Sequence, residues 1–134
     1  YVPYCNGNII EGNIIGPNVR AEGVDVKEGT SGTIIRGNIF SAKGISGANS
    51  ADAFIDLKGS KSFVYKNTFN RDGSNILASG IDVQQRTSSS IPDNTTGYRN
   101  AIFSNIFNFE IAGTKIMPPL RDTMRFINGK KCNR

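Results

Sequence analysis

The sequence predicts an all-β chain: a right-handed parallel β-helix (β-solenoid) of about four coils, in a single domain. Three observations carry this. A short phrase returns four times, as Gly12-Asn13-Ile14-Ile15, Gly37-Asn38-Ile39-Phe40, Lys66-Asn67-Thr68-Phe69 and Ser104-Asn105-Ile106-Phe107. The intervals between these Asn residues are about 25, 29 and 38 residues, the range of stacked repeats. A second phrase, Val24-Asp25-Val26-Lys27, recurs as Ile55-Asp56-Leu57-Lys58 and Ile81-Asp82-Val83-Gln84, with a degenerate copy at Met124-Arg125-Phe126-Ile127. The third is composition: 15 Gly, no Trp and no His in 134 residues, with abundant Asn. That mix suits many tight turns and disfavours long helices.

Alternate side chains of a strand point to opposite faces. Each Asn phrase has an apolar residue three positions before the Asn (Ile10, Ile35, Val64, Ile102) and another two positions after it (Ile15, Phe40, Phe69, Phe107). These read as inward columns. Val24, Ile55, Ile81 and Met124 make a further inward column, and Val26, Leu57, Val83 and Phe126 another. Asn13, Asn38, Asn67 and Asn105 fall at the bends, where Asn tolerates left-handed backbone and can bond from coil to coil in a structural ladder. The coils span about residues 8–29, 33–59, 62–86 and 100–128, each with two short strands. Residues 41–52 and 86–99 break the period. Both are polar and rich in Gly or Ser, so both read as loops. Insertions in a solenoid emerge on one face, often the binding face. Pro118-Pro119 cannot lie inside a central ladder.

The formal charge of +5 suits solubility, or attraction to an acidic polymer such as a uronic-acid polysaccharide. Nucleic acid is not an expected partner, because the basic residues are scattered and no aromatic-rich basic stripe stands out. The longest apolar runs are short, so no membrane partner is expected either. The chain opens at Tyr1 without a Met and reads as a processed mature form or a fragment. Asn94-Thr95-Thr96 is a glycosylation sequon in a Ser-rich stretch. Together with two sparse cysteines, Cys5 and Cys132, it favours a secreted, extracellular protein.

Between the inward residues of the second phrase lies an outward column, Asp25, Asp56 and Asp82, beside Lys27, Lys58 and Gln84, with Arg125 capping the acidic column in the fourth coil. Stacked carboxylates repel, and neighbouring lysines offset that. The column reads either as a surface ion-pair lattice or as a site. Carboxylate oxygens suit calcium; no other cofactor is expected.

The segment Glu22-Gly23-Val24-Asp25-Val26-Lys27-Glu28-Gly29-Thr30, followed by Thr33-Ile34-Ile35-Arg36-Gly37-Asn38-Ile39-Phe40, resembles the right-handed parallel β-helix proteins of the pectate-lyase-like superfamily. Residues Ser50-Ala51-Asp52-Ala53-Phe54-Ile55-Asp56-Leu57-Lys58-Gly59 fit the same group, many of whose members are secreted and uncharacterised. The resemblance covers about residues 6–86. Members of the chondroitinase-B and alginate-lyase type are polysaccharide lyases that use calcium, a Lys base and an Arg acid. The resemblance implies that Lys27 matches the base, five residues after Glu22, with Lys58 and Arg86 as candidate partners on the following coils.

A second reading comes from the ends. Repeat begins close behind Cys5 and strand-like sequence returns at residues 123–127. Two open solenoid ends are complementary, and head-to-tail stacking of copies would give a filament. Cys5 and Cys132 could then bridge neighbouring copies, bridge within one chain, or stay as thiols. The sequence therefore leads to two functions. The first is a secreted structural module that stacks end to end into a fibre, and catalysis is no part of it. The alternative is a carbohydrate-active domain, lyase or binder, acting on an acidic polysaccharide.

Overall fold

The computed structural model describes residues 5–85, 96–109, 119–122, 126–127 and 130–131. The first coil contains β1 (Ile9–Glu11), β2 (Ile14–Ile15) and β3 (Val24–Val26), and the second β4 (Ile34–Arg36), β5 (Ile39–Ser41) and β6 (Ile55–Leu57). The third contains β7 (Phe63–Tyr65), β8 (Thr68–Asn70) and β9 (Ile81–Val83). The fourth contains β10 (Ala101–Phe103), β11 (Ile106–Asn108) and β12 (Leu120–Asp122). Each coil thus has three strands rather than the expected two, because the two-residue bend at each Asn ends one strand and starts another.

Strands of successive coils pair in parallel, giving three sheets. Sheet A runs β1-β4-β7-β10, sheet B β2-β5-β8-β11, and sheet C β3-β6-β9-β12. The repeats are in register: Ile10, Ile35, Val64 and Ile102 align in sheet A, and Ile15, Phe40, Phe69 and Phe107 in sheet B. The fold is the right-handed parallel β-helix read from the sequence.

The fourth strand of sheet C corrects the sequence reading. Leu120–Asp122, and not Met124–Ile127, continues the sheet: Leu120 aligns with Ile81 and Arg121 with Asp82. Phe126–Ile127 (β13) instead pairs antiparallel with Lys130–Lys131 (β14), so Phe126 is no member of the Val26 column. Met124 and Arg125, the other expected members, lie outside the described residues.

The inward columns form one apolar core. Ile35, Phe40, Ile55, Leu57, Val64, Phe69 and Ile81 are fully buried. Phe40 stacks on Phe69 at 4.8 Å between centroids, and Phe69 on Phe107 at 4.9 Å, close to the strand spacing itself. Burying each such ring contributes about 2–3 kcal/mol. The loop 41–52 is not simply polar. Its Ala42, Ile45 and Ala51 are buried, and Lys43 and Ser46 hydrogen-bond the backbone of residues 18–20 in the coil before. It lies against its neighbours between sheets B and C. Of the second expected loop, residues 86–95 lie outside the described residues, while Thr96 is buried.

The Asn ladder is present and buried in its middle rungs. Asn38 Oδ1 accepts from Asn13 N and Nδ2 at 2.9 and 3.1 Å. Asn67 Oδ1 accepts from Asn38 N and Nδ2, both at 3.0 Å, and Asn105 Oδ1 does the same for Asn67. Each following Asn also donates to a sheet A carbonyl of the coil before: Asn38 to Ile10, Asn67 to Ile35, Asn105 to Val64. The left-handed backbone sits one residue earlier than expected, at Gly12, Gly37, Lys66 and Ser104. Asn serves through its side chain, which satisfies backbone groups that the bend removes from the ladders.

Candidate functional site

Sheet C presents the charged residues. Its inward positions hold Val24, Val26, Ile55, Leu57 and Ile81, so alternation turns Asp25, Asp56 and Asp82 outward. Their Cα atoms are in register, one coil apart. The ion pairs of the lattice reading are present, but part of the column is not at the surface. Asp56 and Asp82 are 6% and 1% exposed, although they lie on the outer side of the sheet.

Cation and carboxylate alternate along this column. Lys58 Nζ reaches Asp25 Oδ1 at 2.8 Å and Asp56 Oδ2 at 3.0 Å, and is itself buried. Lys27 pairs with the other oxygen of Asp25 while remaining exposed. In the third coil Gln84 takes the position of the lysines. Its Nε2 donates to Asp82 Oδ2 at 2.8 Å and to Asp56 Oδ2 at 3.2 Å.

The proton affinities follow. For Asp25, burial pushes the pKa up, but hydrogen bonds from Lys27 and Lys58 outweigh it and hold the carboxyl below its ordinary value. For Asp56, burial dominates, the charges of Asp82 and Asp25 add to it, and the pKa is raised despite Lys58. Burial of Lys58 favours its neutral form, yet its bonds to Asp25 and Asp56 prevail and its pKa is raised. Glu22 belongs to the same group: burial raises its pKa, and the charges of Asp56 and Asp25 push the same way.

Asp52 joins from the 41–52 loop, and sequence reasoning missed it. Oxygen atoms of Asp52, Asp56 and Asp82 lie within 4.8 Å of one another. Asp56 Oδ1 is buried with no hydrogen-bond partner among the described residues. A buried carboxylate with one oxygen unpartnered among the described residues, grouped with two further carboxylates, fits a hard divalent cation. This trio could hold calcium, with Asp52 in the place expected for Asp25. The only signal was an acidic residue four positions before Asp56, at the end of an insertion in the same coil.

Of the expected site residues, the structure thus brings together Asp25, Lys27, Asp56, Lys58 and Asp82. Arg86, Asn94 and Cys132 lie outside the described residues, and Cys5 is exposed. Asn13, Asn38, Asn67 and Asn105 belong to the ladder described above.

No protein-family model matches the sequence, and no curated protein matches it. Among solved structures, the crystal structure of alginate lyase from Paenibacillus sp. str. FPU-7 is similar, with a TM-score of 0.73 and 28% sequence identity. The alignment covers 90% of this chain and 42% of the lyase chain, so this chain spans less than half of that protein's length. In fold, the chain matches the parallel β-helix of an alginate lyase.

Proposed function

We propose that this chain is a carbohydrate-active β-helix unit that cleaves an acidic polysaccharide, a polyuronate, by elimination along the outer face of sheet C. The observation that carries the reading is the burial of charge where the solenoid does not need it. Asp56, Lys58 and Asp82 are each at most 6% exposed on the non-core side of the sheet. Buried ion pairs return little net stability, and such clusters concentrate at functional sites. The similarity to an alginate lyase supports the same class of substrate.

Elimination needs three things. The uronate carboxylate must be neutralised, the proton on the carbon beside it removed, and the leaving oxygen protonated. The C–H electron pair becomes the new C=C bond as the neighbouring C–O bond breaks. Lys27 is the exposed amine at the edge of the charge ladder and, by the resemblance of the chain to such lyases, the group assigned to take the proton. Lys58, with its raised pKa, stays a cation that holds Asp25 and Asp56 in place. The proton donor falls to Arg86 by the resemblance of the chain to such lyases. Asp52, Asp56 and Asp82 are the residues that would hold calcium, which when bound would supply positive charge against the substrate carboxylate.

The end-to-end fibre drawn from the repeats gains no support from the similarity, which favours the carbohydrate-active alternative. An extracellular location, with glycosylation at Asn94, fits a polymeric substrate found outside cells and is part of this proposal.

The test is incubation of the purified chain with alginate and with polygalacturonate, with and without calcium. Unsaturated uronides appear as new absorbance near about 230 nm, from the conjugated double bond that elimination creates. Lys27→Ala removes that signal. A chain that neither releases unsaturated product nor is retarded by either polymer in affinity electrophoresis does not have this function.

A further inference from the structure

The outer face of sheet A is lined differently from that of sheet C. Its third and fourth coils carry Phe63 and Tyr65 on β7, and Ala101 and Phe103 on β10. Phe63 is 46% and Phe103 48% exposed. Tyr65 and Phe103 stack at 5.0 Å with their planes 3° apart. Phe63 has no such cover. Its partner in register on the fourth coil is Ala101, so the small residue leaves a step beside the Phe63 ring.

Cations frame this step. Lys61 and Arg99 precede the two strands on one edge, and the Lys61 amide hydrogen-bonds the Tyr98 carbonyl, which places the two turns one above the other. Both residues hold left-handed backbone and both are exposed. Arg99 also lies over the Tyr98 ring at 5.1 Å. Lys66 follows β7 on the other edge, also left-handed and exposed. From Lys61 to Lys66 the chain spans roughly 16 Å at strand rise. Among the described residues, the one acidic group on the outer face of this sheet is Glu11, in the first coil. It is spent on a two-point pair with Arg36, at 2.8 and 2.9 Å. The face over coils three and four is therefore aromatic and positively charged, opposite in sign to the Asp cluster of sheet C.

We propose that this face is a second binding surface for an anionic polysaccharide, separate from the sheet C site. A sugar ring packs on the open side of Phe63, over Ala101, while Lys61, Arg99 and Lys66 pair with carboxylates of neighbouring sugars. Aromatic faces hold the C–H side of pyranose rings, and flanking cations select chains that carry acid groups. A polyuronate needs both, which the arrangement supplies. The choice of ligand rests on the proposed activity; the existence of the surface does not. Its role is to hold a long polymer on the solenoid while sheet C works on another part of it.

The experiment compares the full chain with Phe63→Ala and with the double substitution Lys61→Ala/Arg99→Ala. Alginate is the probe, in affinity electrophoresis for the polymer and in the absorbance assay for a short oligosaccharide. All three side chains are exposed, and circular dichroism checks that the coils are kept. Each variant should bind the polymer about tenfold more weakly, with turnover of the short oligosaccharide unchanged and Phe63→Trp restoring affinity. Polymer affinity equal to that of the unaltered chain in both variants overturns the proposal, as does a Phe63-independent affinity for single-stranded DNA of matched charge. Phe63-dependent binding without any cleavage would leave this surface standing and remove the lyase reading. Cleavage with Phe63-independent binding would do the reverse.

Discussion

Replacing Lys58 by Met isolates the energetics of the sheet C charges. Met keeps most of the packing volume of the stem but leaves Asp56 buried beside Asp82 with only the amide of Gln84, at 3.2 Å, on its Oδ2. Asp25 is less affected, because Lys27 still holds its other oxygen. Removing one partner of a buried ion pair costs about 3–5 kcal/mol, and the partial exposure of Asp25 argues for the lower end, about 3 kcal/mol. In a chain of this size that lowers Tm by about 10 °C. The pH dependence supplies the sharper check. The pKa of Asp56 is raised even with Lys58 present. A carboxyl raised on folding favours the folded state while protonated, and that advantage is lost as pH rises through its folded pKa. Loss of Lys58 pushes Asp56 further up. The penalty of Lys58→Met is therefore larger at pH 7 than in the ordinary carboxylate range and shrinks as pH falls. Asp25, with a lowered pKa, runs the other way in the unaltered chain: its stabilisation is present above the ordinary value and is lost as pH falls. Urea unfolding followed by circular dichroism at pH 7 and near about pH 4.5 measures both. A loss below about 1 kcal/mol at pH 7, or one that does not change with pH, would refute the account of Lys58 as the counter-charge of a buried Asp56.

Two further outcomes follow from the same geometry. Asn67→Ala removes a fully buried rung that accepts two hydrogen bonds and donates to Ile35 O, Tyr65 O and Asn105 Oδ1, so urea unfolding should show a loss of about 3 kcal/mol or more, against less than about 1 kcal/mol for Asn13→Ala at the exposed first rung. Saturating calcium should raise the Tm of the unaltered chain, by an amount that grows with the logarithm of its concentration, and should leave Asp56→Asn unmoved; magnesium, which demands a tighter octahedron, should do less.

Register was legible because the solenoid writes it directly into the sequence. Asn38 must lie over Asn13 for its Oδ1 to reach the next amide, so the ladder appears as the same letter at each bend. Phe40, Phe69 and Phe107 stack for the same reason. The last strand of sheet C was not legible. Leu120-Arg121-Asp122 has one inward apolar residue and follows two prolines, whereas Met124–Ile127 imitates the apolar pattern. Leu120–Asp122 nevertheless pairs with Ile81–Val83, a choice of register that alternation does not encode. The burial of Asp56 and Asp82 escaped for a related cause: period-two patterning says which side of a sheet a residue faces, and not what lies over that side. Asp52 and the sheet A face share the difficulty. Asp52 comes from an insertion outside the period, and Lys61 meets Arg99 only after a full coil, so no local window shows an aromatic and basic cluster.

The position of Gln84 bears on where a cation could be held. Coil stacking sets successive Asp residues of sheet C about 4.8 Å apart, and two carboxylates at that distance repel by roughly 3 kcal/mol at an effective dielectric near 20. Between the first and second coils Lys58 cancels that repulsion. Between the second and third coils the equivalent residue is Gln84, whose amide donates to both carboxylates but brings no charge. Asp52 enters at this same place and adds to the negative charge instead of relieving it. A solenoid shaped only for stability would carry a lysine at position 84, as it does at 58, and no acid at 52. These two departures from the repeat fall at one level of the stack and in the same electrostatic direction, and there a carboxylate oxygen of Asp56 is buried without a hydrogen-bond donor among the described residues. A divalent cation held at this level would add positive charge where three carboxylates gather, and the calcium titration tests for it.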